Sequence, residues 1–91
     1  MLLTVDIGNT NIKAINLPKT ITYIGVSAFE SCTTIEKIII PIAVTTLREY
    51  AFRHCKNLTI YCEIDKAPKG WTSSYWNVYP ARPVVWSYIE E

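Results

Sequence analysis

The residues best suited to chemistry lie at the start of the chain, where an apolar run over residues 2–5 leads at once into a polar turn. The turn contains an acid, a glycine, an amide and a hydroxyl: Asp6, Gly8, Asn9 and Thr10. A strand that ends in an acid and a glycine-containing turn can hold a nucleotide phosphate, because glycine lets the backbone approach closely and the polar groups supply hydrogen bonds. These four residues therefore form a candidate phosphate-binding loop.

The three cysteines and the one histidine are the other candidates for chemistry. Cys32 and Cys55 occupy matching positions of an internal repeat, and we expect two buried thiols because free cysteine behaves as a small apolar residue. His54 stands next to Cys55, but adjacent side chains on a turn point apart, so we expect a solvent-facing histidine. Cys62 has no cysteine or histidine at metal-ligand spacing. The sequence therefore predicts neither a catalytic residue nor a metal site.

Composition narrows the class of protein. The 91 residues include nine basic and eight acidic side chains, a net charge of +1, and 49% of the residues are hydrophobic. This balance is typical of one globular domain and lacks the basic excess of nucleic-acid binders. No apolar run approaches about 18 residues, so we expect no transmembrane helix.

The elements that must position any site come from the internal repeat. Residues 12–34 align without a gap with residues 35–57, which gives a 23-residue period. A third copy begins at Leu58 and then departs from the pattern. The matched positions are Ile12/Ile35, Ile15/Ile38, Leu17/Ile40, Pro18/Pro41, Ile21/Val44, Thr22/Thr45, Ile24/Leu47, Ala28/Ala51, Phe29/Phe52 and Cys32/Cys55.

Each unit opens with a short β-rich run that a proline ends, Pro18 in the first unit and Pro41 in the second. Proline lacks the N–H that a strand ladder needs, so it favours strand ends. One unit cannot bury its apolar face alone, whereas stacked units can, with Phe29 lying on Phe52. Units of roughly 20–29 residues have the size of leucine-rich repeats. The pattern predicts a β-rich solenoid, a short leucine-rich repeat array with a 23-residue period.

The motif LP-x-TIT-x-IG-xx-AF-xx-CT in residues 17–33 resembles the BspA-like leucine-rich repeat family of bacterial and protist surface proteins. The similarity extends over residues 12–91, because the tail looks like the segment that closes such arrays. In the second unit Leu47-Arg48-Glu49 replaces the usual Ile-Gly, so we expect a different turn there. The resemblance implies adhesion or protein recognition at a cell surface, without catalytic residues. The first residues lack the basic leader of a signal peptide, so localisation stays open.

The opening stretch, MLLTVDIGNTNIKA over residues 1–14, is also similar to the N-terminal phosphate loop of type III pantothenate kinases, which belong to the actin-like ATPase superfamily. That resemblance implies ATP with Mg²⁺ as the cofactor. Asp6 would lie near the metal-bound phosphate, and Gly8 would let the backbone approach that phosphate closely. Asn9 and Thr10 would donate hydrogen bonds to it. The kinase fold needs two full domains, for which the chain has no room. We interpret residues 1–11 as an N-terminal end strand and turn, and we expect no cofactor.

Aromatic residues crowd the tail. All three tryptophans and four tyrosines lie there: Tyr61, Trp71, Tyr75, Trp76, Tyr79, Trp86 and Tyr88. Exposed aromatic rows can bind sugars or peptides, but rings folded over the end of a repeat array keep neighbours from adding to it. Pro68, Pro80 and Pro83 allow the chain to turn back. We predict that residues 58–91 form a terminal strand and an aromatic cap.

Repeat arrays usually bind partners on the concave face of their strands. The outward positions that we expect there are Lys13, Asn16, Glu36, Lys37 and Ile39. They make a small patch of mixed charge in which an exposed Ile39 would favour contact with a partner. The alternative is an ordinary solvated face.

Residues 12–57 are thus predicted to form two leucine-rich repeats between the end strand and the cap. We interpret the chain as a non-catalytic module for protein interaction or adhesion, with a protein or cell-surface ligand as its partner. One alternative is a fragment of a pantothenate kinase-like protein with a vestigial ATP loop. Another is a self-stacking assembly unit, because two repeats are fewer than the roughly three that such folds need, which leaves the N-terminal end for a second copy.

Overall fold

Two small parallel sheets form the framework of the protein. The computed structural model describes residues 2–3, 13–71, 75–78 and 81–89. Its strands are β1 (Leu2–Leu3), β2 (Ala14–Asn16), β3 (Tyr23–Ile24), β4 (Lys37–Ile40), β5 (Thr46–Leu47), β6 (Thr59–Cys62) and β7 (Val84–Val85). The first sheet has the order β1-β3-β5 and the second the order β2-β4-β6-β7. The described part is strand-rich, and its helical structure is one 3-10 turn over Tyr75–Asn77.

Strand pairing follows the internal repeat. Ile15 of β2 pairs with Ile38 of β4 in the second sheet, and these partners are 23 positions apart. The same spacing separates Ile24 of β3 from Leu47 of β5 in the first sheet. Because equivalent residues pair in parallel, aliphatic side chains form rows across each sheet, where branched residues pack well. The next partner of Ile38, Ile60 of β6, lies 22 positions further on.

The core lies between the two sheets and contains an aromatic pair. The rings of Phe29 and Phe52 are stacked with their centroids 5.6 Å apart, and each residue is 1% exposed. The prediction that these two rings stack in the core is confirmed. Among the described residues no polar or charged residue is buried, so the core is stabilised by apolar burial and packing.

The three cysteines line this core as free thiols. Burial raises the pKa of Cys55 to about 11 and that of Cys62 to about 12, and it also raises the pKa of Cys32. The Cys55 thiol donates a hydrogen bond to the carbonyl oxygen of Phe29 at 3.0 Å, which joins the two units. The prediction that Cys32 and Cys55 are buried thiols is confirmed.

The turn of the second unit has left-handed residues at the same positions as the turn of the first. Ser27 and Tyr50 occupy equivalent positions and have φ values of 56° and 59°. Gly25 does not use positive φ, so its position needs no glycine and Arg48 takes it in the second unit. The expectation that replacing Ile-Gly changes this turn was therefore wrong.

The turns themselves add a third run of hydrogen bonds between the units. The amide of Phe29 donates to the carbonyl of Ala51 at 2.8 Å, and the amide of Ser31 donates to the carbonyl of Arg53 at 2.7 Å. Ser31 and His54 share a left-handed conformation, with φ values of 64° and 65°. His54 is exposed on this turn, as predicted. The units are thus joined at the two sheets and at the turns.

Candidate partner-binding face

The second sheet has one side in the core and one side facing away from it. Side chains alternate along a strand, so Ile38 and Ile40 of β4 enter the core while Lys37 and Ile39 lie on the opposite side. We call that opposite side the outer face. Its strand residues are Ala14, Asn16, Lys37, Ile39, Thr59, Tyr61 and Val85, and the ring of Tyr88 joins them.

Strand register arranges the outer face in two rows. One row runs across all four strands and contains Asn16, Ile39, Tyr61 and Val85. The other contains Ala14, Lys37 and Thr59. Three of the predicted site residues, Asn16, Lys37 and Ile39, therefore share this face.

Ile39 lies on the outer face but is only 4% exposed. The expectation of an exposed isoleucine that favours contact was wrong. The reason is its place in the middle of the sheet: strands flank β4 on both sides, and Asn16 and Tyr61 stand level with Ile39 in register. A partner would therefore meet the side chains around Ile39 before Ile39 itself.

Lys13 and Glu36 lie where β2 and β4 begin, and they pair with each other. The lysine Nζ is 3.9 Å from a carboxylate oxygen of Glu36, and both side chains are more than 60% exposed. The amide of Glu36 also donates to the carbonyl of Lys13 at 2.7 Å. Such an exposed pair contributes little stability, but it brings together two of the three charged residues that the sequence placed at the site.

Lys37 has a different environment, made of two tyrosine rings. Its Nζ lies 5.2 Å from the ring centroid of Tyr61 and 5.4 Å from that of Tyr88. It also donates a hydrogen bond to the Tyr88 hydroxyl at 3.3 Å. The two ring centroids are 4.8 Å apart. Cation–π attraction therefore holds the ammonium group on an aromatic pair.

Sequence reasoning assigned Tyr61 and Tyr88 to the aromatic tail and missed their place beside Lys37. A signal for Tyr61 was present, because it alternates with Ile60 and Cys62, which face the core. No local signal marks Tyr88, which reaches Lys37 from 51 positions away. The aromatic tail therefore contributes to the outer face as well as to the core.

The tryptophans pack together at the C-terminal side of the core. The ring of Trp71 lies 5.0 Å from that of Trp76 and 5.9 Å from that of Trp86, and Trp76 meets Phe52 edge-on at 6.4 Å. The indole nitrogen of Trp71 donates to the carbonyl of Val44 at 3.2 Å. Because Trp71 and Trp76 are 3% and 5% exposed, they are not available as a platform for a sugar or peptide.

The surface within the described ranges offers little to a small ligand. No pocket is found there. In that same part of the chain no group of three or more His, Cys, Asp or Glu residues could hold a metal ion, and no helix is long and apolar enough to cross a membrane. The predicted phosphate loop, Asp6, Gly8, Asn9 and Thr10, lies outside the described residues. The outer face is thus an open sheet surface, and no pocket is found on it among these residues.

Comparison with known proteins bears on the repeat. A family model described as the BspA type leucine rich repeat region (6 copies) matches residues 7–68. This match includes both aligned units and more than half of the chain. Comparison with curated proteins and with solved structures gave no match. The similarity of the opening stretch, residues 1–14, to pantothenate kinases stays a prediction.

Proposed function

Because this chain belongs to the BspA-type leucine-rich repeat family, we propose that it is a non-catalytic module that binds a protein or a cell-surface ligand. Proteins built from stacked repeats commonly use an extended strand surface for recognition. The observation that carries the proposal is the outer face, where Lys37 and two tyrosine rings line an open sheet. Tyrosine is common in protein interfaces, since it combines apolar area with a polar group.

We also propose the finer architecture as a β-rich solenoid with a 23-residue period. Paired strand residues 23 positions apart support this period, with Ile15 opposite Ile38 and Ile24 opposite Leu47. Residues 58–91 would add a terminal strand and an aromatic cap. The edge-on contact of Trp76 with Phe52 supports the cap, because it covers the second unit's ring with another aromatic ring.

The described residues favour binding over catalysis. Catalytic cysteines need a low thiol pKa, whereas burial raises the pKa of Cys55 to about 11. His54 is exposed on a turn, and no orienting group is found beside it among the described residues. A general base needs a positioned partner at hydrogen-bond distance. The cysteine and histidine side chains, which are of types able to act in catalysis, are therefore better explained as packing and surface residues.

The test uses surface variants that add the same charge at two places. Asn16→Glu changes the outer face, and Thr33→Glu changes an exposed turn residue away from it. Binding of the full chain to immobilised, purified extracellular-matrix proteins is measured by biolayer interferometry. We expect binding that Asn16→Glu abolishes and Thr33→Glu preserves. Equal loss in both variants would contradict the choice of face, and absence of binding to the whole panel would contradict an adhesive function.

A further inference from the structure

Lys37 belongs to none of the ion pairs found among the described residues. Those pairs join Lys13 to Glu36, Lys19 to Glu63, and Arg48 to Glu49. The ammonium group of Lys37 instead donates one hydrogen bond to the Tyr88 hydroxyl and lies beside two tyrosine rings. An ammonium group has three N–H donors, so two remain for another acceptor.

Within the part of the chain that the structure describes, the surroundings of Lys37 supply no compensating negative charge. The rows of the outer face contain no carboxylate, and the neighbouring acid in sequence, Glu36, is paired with Lys13. Lys37 is partly buried against the tyrosine rings. Partial removal from water strengthens its attraction for an anion. Among the described residues, the outer face therefore presents one uncompensated positive charge at a defined place.

The Tyr88 hydroxyl adds a second donor at the same place. Its oxygen accepts the hydrogen bond from Lys37, which leaves its own hydrogen free to be donated. Together the ammonium and hydroxyl groups can donate hydrogen bonds to the two oxygens of one carboxylate. Val85, which is 40% exposed and pairs in register with Tyr61, offers apolar surface beside them.

We propose that the outer face binds an acidic segment of a protein partner. A glutamate or aspartate carboxylate accepts hydrogen bonds from Lys37 and Tyr88, and an apolar side chain of the same segment packs on Val85 and Tyr61. This inference rests on the proposed function and adds the chemistry of the partner. A polyanion such as nucleic acid is less suited, because it needs several cations and the net charge is +1.

The test is an NMR titration of the full chain with two blocked nonapeptides. One alternates valine with glutamate, and the other alternates valine with glutamine at the same positions. We expect the glutamate peptide to shift the signals of the Lys37 ammonium group, the Tyr88 ring and the Val85 methyl groups at millimolar concentration. The glutamine peptide should leave them unchanged. No shift with the glutamate peptide, or equal shifts with both, would overturn the inference.

Matched variants locate the contact. Lys37→Gln should weaken binding of the glutamate peptide about tenfold, the usual effect of removing a charge-assisted hydrogen bond. The control is Lys66→Gln, which changes an exposed lysine elsewhere and should leave binding of the peptide unchanged. Tyr88→Phe removes only the hydroxyl group and gives a second readout if Lys37→Gln unfolds. If the Lys37→Gln and Tyr88→Phe variants both bind the glutamate peptide as tightly as the original chain does, the inference is overturned. If Lys37→Gln still binds the matrix proteins, only the acidic contact is contradicted. If the original chain binds none of the matrix proteins, the proposed function is contradicted.

Discussion

Phe29 and Phe52 stack with their ring centroids 5.6 Å apart and their ring planes within 8° of parallel. They are equivalent residues of the two aligned units. Trp76 continues the contact by meeting Phe52 edge-on, with centroids 6.4 Å apart. Phe52 therefore contacts the first unit on one side and the C-terminal tail on the other.

Replacing Phe52 by alanine should destabilise the protein by about 3–5 kcal/mol, because it empties a fully buried ring site between two aromatic neighbours. That is a large part of the roughly 5–15 kcal/mol that stabilises a typical domain. Urea denaturation followed by tryptophan fluorescence measures the change. Ile89→Ala is the control, since Ile89 is 81% exposed, and it should leave the transition in place. Unchanged unfolding of Phe52→Ala would mean that the assigned core is wrong.

Gly70 should not accept a larger side chain. A Cβ atom at this position would lie 2.0 Å from the carbonyl oxygen of Thr45, which belongs to the backbone and cannot move aside freely. The carbonyl of Gly70 also accepts a hydrogen bond from the amide of Leu47. We expect Gly70→Ala to cost about 1–3 kcal/mol, as overpacking does. Thermal melting compares it with Lys69→Ala at the exposed neighbouring position, and equal melting temperatures would contradict the close approach.

The buried thiols should resist alkylation in the folded protein. The pKa of Cys55, about 11, lies about two units above the reference value of 9.0, so its thiolate fraction near pH 8 is about 100-fold smaller than that of an ordinary cysteine. Mass spectrometry after iodoacetamide treatment at that pH should show slow labelling without urea and full labelling with it. A Lys66→Cys variant supplies an exposed thiol as the control. Labelling of Cys55 as fast as this control would contradict its burial.

The pair between Lys19 and Glu63 should make stability fall in acid. Hydrogen bonding by Lys19 is the main cause that lowers the pKa of Glu63 from its ordinary value of 4.5, and the amide of Ile42 helps. A carboxyl with a lowered folded pKa contributes stability above its unfolded pKa, and this contribution is lost as the pH falls through the folded pKa. Melting temperatures measured from pH 7 to pH 3 should therefore decrease.

Glu63→Gln should reduce that decrease, because the amide does not titrate. Glu30→Gln is the matched control, since Glu30 is exposed and belongs to none of the ion pairs described above. If both variants followed the same pH profile as the original chain, Glu63 would not contribute to the acid sensitivity.

The N-terminal turn should not bind nucleotide if the protein is a non-catalytic module. We expect no heat when the chain is titrated calorimetrically with millimolar ATP and Mg²⁺. Heat that disappears in Asp6→Ala but persists in Asp65→Ala, a change at an exposed acid elsewhere, would support a working phosphate loop and contradict the proposed function.

Much of the fold was predictable because the units repeat. Matching residue types at equal spacing predicted which side chains share the core, and Phe29, Phe52, Cys32 and Cys55 are all buried. The turn of the second unit was mispredicted. The sequence motif made its glycine look necessary, yet Gly25 does not use the backbone conformation that requires glycine.

The site was predictable only in part. Alternation along the strands placed Asn16 and Lys37 on one face, because the direction of a side chain depends on its own strand. Exposure depends on neighbouring strands as well, and for that reason Ile39 is covered although it points away from the core.

By itself the sequence determined the repeated units, the family and the residues that face the core, because these follow from the order and spacing of residue types. Only the tertiary structure decided that the Lys37 ammonium group lies over the rings of Tyr61 and Tyr88, since residues 51 positions apart meet through folding of the whole chain. It also decided that the tryptophans pack on the core while these two tyrosines reach the surface. The physical reason is that a ring's environment is set by the strands and turns packed against it, many of which are distant in sequence.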